Sequence, residues 1–298
     1  MTKPLNDLSA MIRDARAIGP DETLALRRAV WPDGQISADE ANILFDLNRT
    51  SAARSAEWVD FFVEAITAYL VEQVAPRGYV SDDNAAWLIS QIDHDGHVDT
   101  LAELELIAKV MERAENVPEP LKRYALTQIA DAVIDGTGPT RCGNSLKPGS
   151  IGTAEVAMLR RVLYAQAGLS PAHIGREEAE LLFRLKDATL DGDNAPEWQT
   201  LFVQALRLHI MTDPAYRLLS RDEAIRLDSF MADTSSNVGR FMGRMAKSFG
   251  RKGLPQRNST PPATLYPASK KHWLAASIHI DGVIDPMEQA LLDALAND

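Results

Sequence analysis

Apolar side chains recur along most of this chain at spacings of three and four, the spacing that lines one face of an α-helix. Trp58, Phe61, Phe62, Ala65, Ile66, Tyr69 and Leu70 form the clearest run. No stretch alternates apolar and polar residues as a half-buried strand would. The runs share a local grammar at their starts: an apolar residue, a short polar cap, then an acidic first turn. ISADE, YVSDDN and HVDTLAE carry it in the first half of the chain, and HIGREE, LLSRDE and VIDPME in the second. Ser37, Ser81, Asp99, Ser220 and Asp285 are good N-cap residues, and Glu40, Glu223 and Glu288 stand where a capping box puts its glutamate. Pro286 holds the favoured first helical position. The pattern predicts an all-α chain of about a dozen helices.

The pattern also repeats. Residues 36 to 47, ISADEANILFDL, match residues 174 to 185, IGREEAELLFRL, in Ile, Glu, Ala, Leu, Phe and Leu. EWVDFFVEAI at 57 to 66 matches EWQTLFVQAL at 197 to 206, and WLISQIDHDGHVD at 87 to 99 matches WLAASIHIDGVID at 273 to 285. LRR at 26 to 28 recurs at 159 to 161, so order is kept throughout. Such self-similarity predicts two tandem units of about six helices each: 1–135, then a Gly/Pro/Ser-rich linker at 136–152, then 153–298. Trp58 and Trp198, like Trp87 and Trp273, would fill equivalent places in two cores.

The second unit carries an insertion that the first lacks. Residues 234 to 271 hold eight Lys or Arg and no Asp or Glu, within a protein of 298 residues whose net charge is -11. At its centre, VGRFMGR and MAKSFGR (238–251) form two similar sevens. On a helix, Val238, Phe241, Met242, Met245 and Phe249 make the apolar side, and Arg240, Arg244, Lys247 and Arg251 the basic one. Gly239, Gly243 and Gly250 weaken that helix by about 1 kcal/mol each against Ala. The segment therefore needs a covering surface: an acidic groove of a protein partner, or an anionic membrane met peripherally. The acidic balance elsewhere excludes nucleic acid as the expected partner, because phosphate contacts need clustered Lys and Arg.

Three loops raise a second chemistry. DGQISADE, DHDGHVDTLAE and DGVIDPME resemble the second half of an EF-hand loop, with Asp-Gly, an apolar residue and a Glu at or near the loop end. The acidic helix starts also resemble those of the all-helical TerB-like proteins of the tellurite-resistance family. Neither likeness covers more than short stretches of each unit. The EF-hand resemblance implies calcium, which takes six to eight oxygens and usually a bidentate carboxylate at the end of the loop. Loop 29–40 fails early, with Ala29 and Trp31 at the first ligand places. Loop 91–102 offers Asp93, Asp95 and Asp99 but ends on Ala102; loop 277–288 offers Asp281, Asp285 and Glu288 but has His279 third. DATLDGDNAPE adds Asp187, Asp191 and Asp193 in one short loop. Asp and Gly also make turns and cap helices with no ion present.

No G-x-S-x-G, P-loop, H-E-x-x-H or dinucleotide fingerprint occurs, and paired acids such as Glu177 and Glu178 sit at helix starts, where they complement the helix dipole. Catalysis is not expected. The single Cys142 cannot form an internal disulfide, and His94 and His97 have no second ligand pair at zinc spacing. The N-terminal stretch lacks the apolar core of a signal peptide, so the expected location is cytoplasmic. The sequence thus points to a non-enzymatic helical scaffold that contacts a partner through 238–251, with a divalent-metal (calcium) sensor as the alternative.

Overall fold

The structure, a computed structural model, describes residues 3–32, 34–75, 77–93, 97–116, 118–141, 147–165, 174–211, 268–278 and 283–296. It is all-α, with twelve α-helices among these residues. Seven lie before residue 136: α1 (Lys3–Ala15), α2 (Pro20–Val30), α3 (Ala38–Thr50), α4 (Ala56–Thr67), α5 (Asp82–Ile92), α6 (Leu101–Arg113) and α7 (Glu119–Asp135). Five follow: α8 (Thr153–Tyr164), α9 (Arg176–Ala188), α10 (Glu197–Met211), α11 (Ala268–Ile278) and α12 (Pro286–Ala296). The described helices thus divide seven and five rather than evenly. Two short parallel strands, β1 (Ala17–Ile18) and β2 (Ala53–Arg54), tie the end of α1 to the start of α4.

The helices start where local chemistry favours it. Ser37 accepts from the Glu40 amide while Glu40 Oε2 accepts from the Ser37 amide at 2.8 Å, satisfying two orphan donors of α3. Ser81 caps α5. The cap of α6 is Thr100 and not Asp99: Thr100 exchanges hydrogen bonds with Glu103, which leaves Asp99 exposed one residue outside the helix. Asp285 caps α12 by accepting from the Met287 and Glu288 amides at 2.8 and 3.0 Å, and Glu288 reaches back to the Asp285 amide at 3.1 Å.

Helix α4 shows why periodicity becomes packing. Trp58, Phe61, Phe62, Ala65 and Ile66 are all buried, and Trp58 stacks on Phe62. Each large apolar side chain removed from water contributes roughly 2 kcal/mol. This face packs chiefly on α6, and α10 packs in the same manner on α12, with Trp198 buried as fully as Trp58. The core is continuous from Leu5 on α1 to Leu291 on α12, because α6 and α7 pack on α8 and α7 also packs on α9.

Residues 136–152, read from sequence as a linker, contribute some of their described members to this core. Gly136 closes α7 at φ 72, Pro139–Arg141 forms a 3-10 turn with Arg141 buried, and Ile151 is fully buried. The Gly149 amide bonds the Val133 carbonyl at 3.0 Å. Cys142 lies outside the described residues.

Candidate functional site

The acidic loops expected to hold a metal do different things. Asp93 ends α5 as its C-cap, and Asp99 is exposed; Asp95 and Asp281 lie outside the described residues. Asp187, Asp191 and Asp193 border one hollow of about 530 Å³, together with Lys147 and the backbone of Gly149, Ser150 and Gly192. Asn194, which the sequence did not single out, shapes this loop: its side chain donates to the Thr189 carbonyl at 2.6 Å and accepts from the Ile151 amide at 3.0 Å. The two loop strands approach so closely that a Cβ on Gly192 would lie 2.3 Å from the Gly149 carbonyl oxygen. Among the described residues, no three His, Cys, Asp or Glu side chains converge to hold an ion.

At Asp285 and Glu288 a lysine stands beside the carboxylates that the EF-hand resemblance assigns to a cation. The Lys186 ammonium on α9 donates to Asp285 Oδ2 and to Glu288 Oε1, the latter at 2.7 Å, and pairs with Asp187 at 2.8 Å. Lys186 is 2 % exposed. Burial alone would lower its pKa, but hydrogen bonds to Asp187, Asp285 and Glu288 outweigh it and hold the ammonium above the usual lysine range. The two carboxylates thus cap α12 and anchor it to α9 at once. Lys186 was missed because a lysine on a periodic helix reads as solvated; the only signal was its place directly after the buried Leu182, Phe183 and Leu185.

The first half has a neutral counterpart. Asn48 on α3 is buried, donates to Glu103 at 3.0 Å and accepts from the Trp58 indole at 3.2 Å. Burial pushes the Glu103 carboxyl upward against the opposing hydrogen bonds of Thr100 and Asn48. Two further cap glutamates are buried beside a distant base: Glu178 of α9 pairs with Lys122 of α7, and Glu155 of α8 with Arg141 at 3.1 Å. Helix caps and helix junctions are therefore the same groups in four places.

An open groove of about 620 Å³ crosses both halves. Trp31, Val59, Val63 and Ala68 give it an apolar floor, and charged residues of α4, α6 and α8 rim it. The rim is largely self-paired: Arg161 bonds Glu112 at 2.6 Å and Glu105 at 2.7 Å, which raises its pKa, and Arg27 bonds Glu64 at 2.7 Å. Such a groove offers shape and paired charge.

Val238, Arg240, Phe241, Met242, Arg244, Met245, Lys247, Phe249 and Arg251 all lie outside the described residues. The described helices before and after residues 212–267 meet. Lys270 of α11 donates to the His209 carbonyl near the end of α10, and the His209 ring lies 4.9 Å from that of Trp273. No described helix is long and apolar enough to cross a membrane. In comparison with known proteins, no family model, no curated protein and no solved structure matches this chain.

Proposed function

We propose that this chain is a non-enzymatic interaction scaffold: two related helical units present the basic insertion, and residues 238–251 bind an acidic groove on a protein partner. One observation carries this. The two described helices on either side of residues 212–267, α10 and α11, meet where Lys270 reaches the His209 carbonyl. A segment whose two stems adjoin can be added to a core without entering it. Matched burial supports the duplication: Ala41, Leu44, Leu47 and Trp58 are buried as Ala179, Leu182, Leu185 and Trp198 are. A scaffold role also suits a molecule whose buried ionisable groups join helices to one another.

Replacing residues 234–265 by a short Gly/Ser link tests the proposal. The helical circular dichroism and thermal midpoint are expected to persist while capture of the cellular partner is lost. Reversing Arg240, Arg244, Lys247 and Arg251 to Glu is expected to weaken binding by at least about a hundredfold, since charged contacts of this type are each worth about 1 kcal/mol near an acidic surface. Unchanged binding by either variant overturns the proposal. Binding to anionic vesicles but to no protein reassigns the segment to membranes.

A further inference from the structure

The two ends of this molecule match each other, and we infer that they join copies of the chain head to tail: α1 and α2 of one copy dock on α11 and α12 of another, as α7 and α8 dock on α5 and α6 within the chain. The inference rests on the relatedness of the two units and not on what residues 238–251 bind.

The packing of the helices repeats with a period of six. Helix α1 packs on α2 and α3, α2 and α3 pack on α4, and α4 packs on α6. In the same order α7 packs on α8 and α9, α8 and α9 on α10, and α10 on α12. Helix α7 is thus the counterpart of α1, and the sequence agrees: KPL at 3–5 recurs as EPL at 119–121, and IRDA at 12–15 as IADA at 129–132. Leu5 and Ile12 are buried as Leu121 and Ile129 are. The second unit therefore begins before α7, which divides the twelve described helices six and six.

Between the units, α5 and α6 meet α7, and α6 also meets α8. There Gln128 of α7 holds the Val98 amide at 2.9 Å, and Val98 is 3 % exposed. The matching place at the far end of the molecule is open. Val98 aligns with Ile284, which is 44 % exposed, and Val283 beside it is 66 % exposed. Helix α12 is firmly seated on α10, yet its outer side differs from that of α6. Ile107 and Val110 follow the capping Glu103 and are fully buried, whereas Leu292 and Leu295, at the same spacings after Glu288, are half-buried. At the opposite end, Met11 precedes IRDA as Gln128 precedes IADA, and Met11 is 69 % exposed. Leu24 of α2 is exposed as well.

The contact inside the chain is the template for the contact between chains. Placing α1 of a second copy on the second unit, as α7 lies on the first, brings Met11 to Val283 and Ile284. An apolar contact then stands where Gln128 and Val98 share a hydrogen bond, and its removal from water favours association. The two faces differ, so the contact is heterologous. A dimer keeps one open end of each kind and admits further copies, as a closed ring or an open filament.

Sedimentation velocity on the full chain tests this. The wild type is expected to associate in a concentration-dependent manner at or below about 100 μM. Met11→Arg and Ile284→Arg are expected to keep the helical circular dichroism and to weaken association at least about a hundredfold, because each buries an unpaired charge in the contact. Mixing the two variants is expected to restore a dimer that grows no further, since each retains the face that the other lacks. Val283→Arg replaces Ile284→Arg should the latter fail to fold. A wild type that stays monomeric at that concentration overturns the inference with no variant needed. Unchanged association of either variant, or a mixture that stays monomeric, overturns it too. Association is expected to survive replacement of residues 234–265 by the Gly/Ser link, so this test and that of partner capture fail independently; its loss there would assign the contact to the insertion instead.

Discussion

Asn48 on α3 and Lys186 on α9 each lie one residue past the matched stretches ISADEANILFDL and IGREEAELLFRL, and each reaches the capping box of a later helix. The first joint is built with an amide and the second with a cation. An amide both donates and accepts, so Asn48 can bond Glu103 and receive the Trp58 indole N–H together. A lysine only donates. Lys186 holds two carboxylates of α12, but the buried Trp198 indole N–H finds no acceptor among the described residues. The same helix pattern thus yields, in one half, a junction centred on a neutral amide whose donor and acceptor are both used. In the other it yields an ionic junction that concentrates its strength on one atom and leaves a donor unpaired. Their surroundings follow suit. Val98, just ahead of α6, is buried and its amide is held by Gln128 of α7 at 2.9 Å, while Val283 and Ile284 ahead of α12 are exposed.

The largest expected effect that separates the two joints is Lys186→Ala, which leaves Asp285 and Glu288 facing each other without their cation and should cost about 3–5 kcal/mol in urea unfolding. Asn48→Ala should cost about 2 kcal/mol, the loss of two hydrogen bonds at a buried site. Equal costs would erase the distinction between the joints. Next comes a pair of indole substitutions. Trp58→Phe breaks the bond to Asn48, while Trp198→Phe removes a donor that had no partner, so the first should be worse by about 1–2 kcal/mol. A larger penalty for Trp198→Phe would mean that its N–H has an acceptor after all.

A smaller effect concerns pH. Burial raises the folded pKa of Glu103 above its ordinary 4.5. Its contribution to stability is then fully present below that ordinary value and is lost as pH rises through the raised one. Glu103→Gln cannot ionise, so its stability penalty relative to wild type should be greater near pH 4 than near pH 8, as read from thermal midpoints. A penalty that grows with pH would contradict the assigned direction. Smallest of all, millimolar calcium should leave the thermal midpoint nearly unmoved, since the Asp285 and Glu288 carboxylates already engage Lys186; a rise of several degrees that Asp285→Asn removes would restore the metal reading.

The α-helical class and most helix starts were legible in the sequence, and so was the burial of Trp58 and Trp198. Ser37, Ser81 and Asp285 cap the helices they were read to cap, because a cap is settled by atoms three residues apart. Thr100 displaced Asp99 by one position, since both are competent caps and the choice depends on where the preceding turn delivers the chain. The span 136–152 looked free because Gly, Pro and Ser signal loops, yet Arg141 and Ile151 are drawn inside by Glu155 and by the packing of α7 on α8.

By itself, then, the sequence determined what is local: the periods that make helices, their caps, and the basic insertion set in an acidic chain. Only the tertiary structure decided which charges meet. Asp285 and Glu288 looked like ligands awaiting an ion because their partner is 99 and 102 residues away on another helix. Helix periodicity shows which side chains turn inward, but the partner of a buried charge depends on which two helices come together, and that is settled by the packing of the whole core.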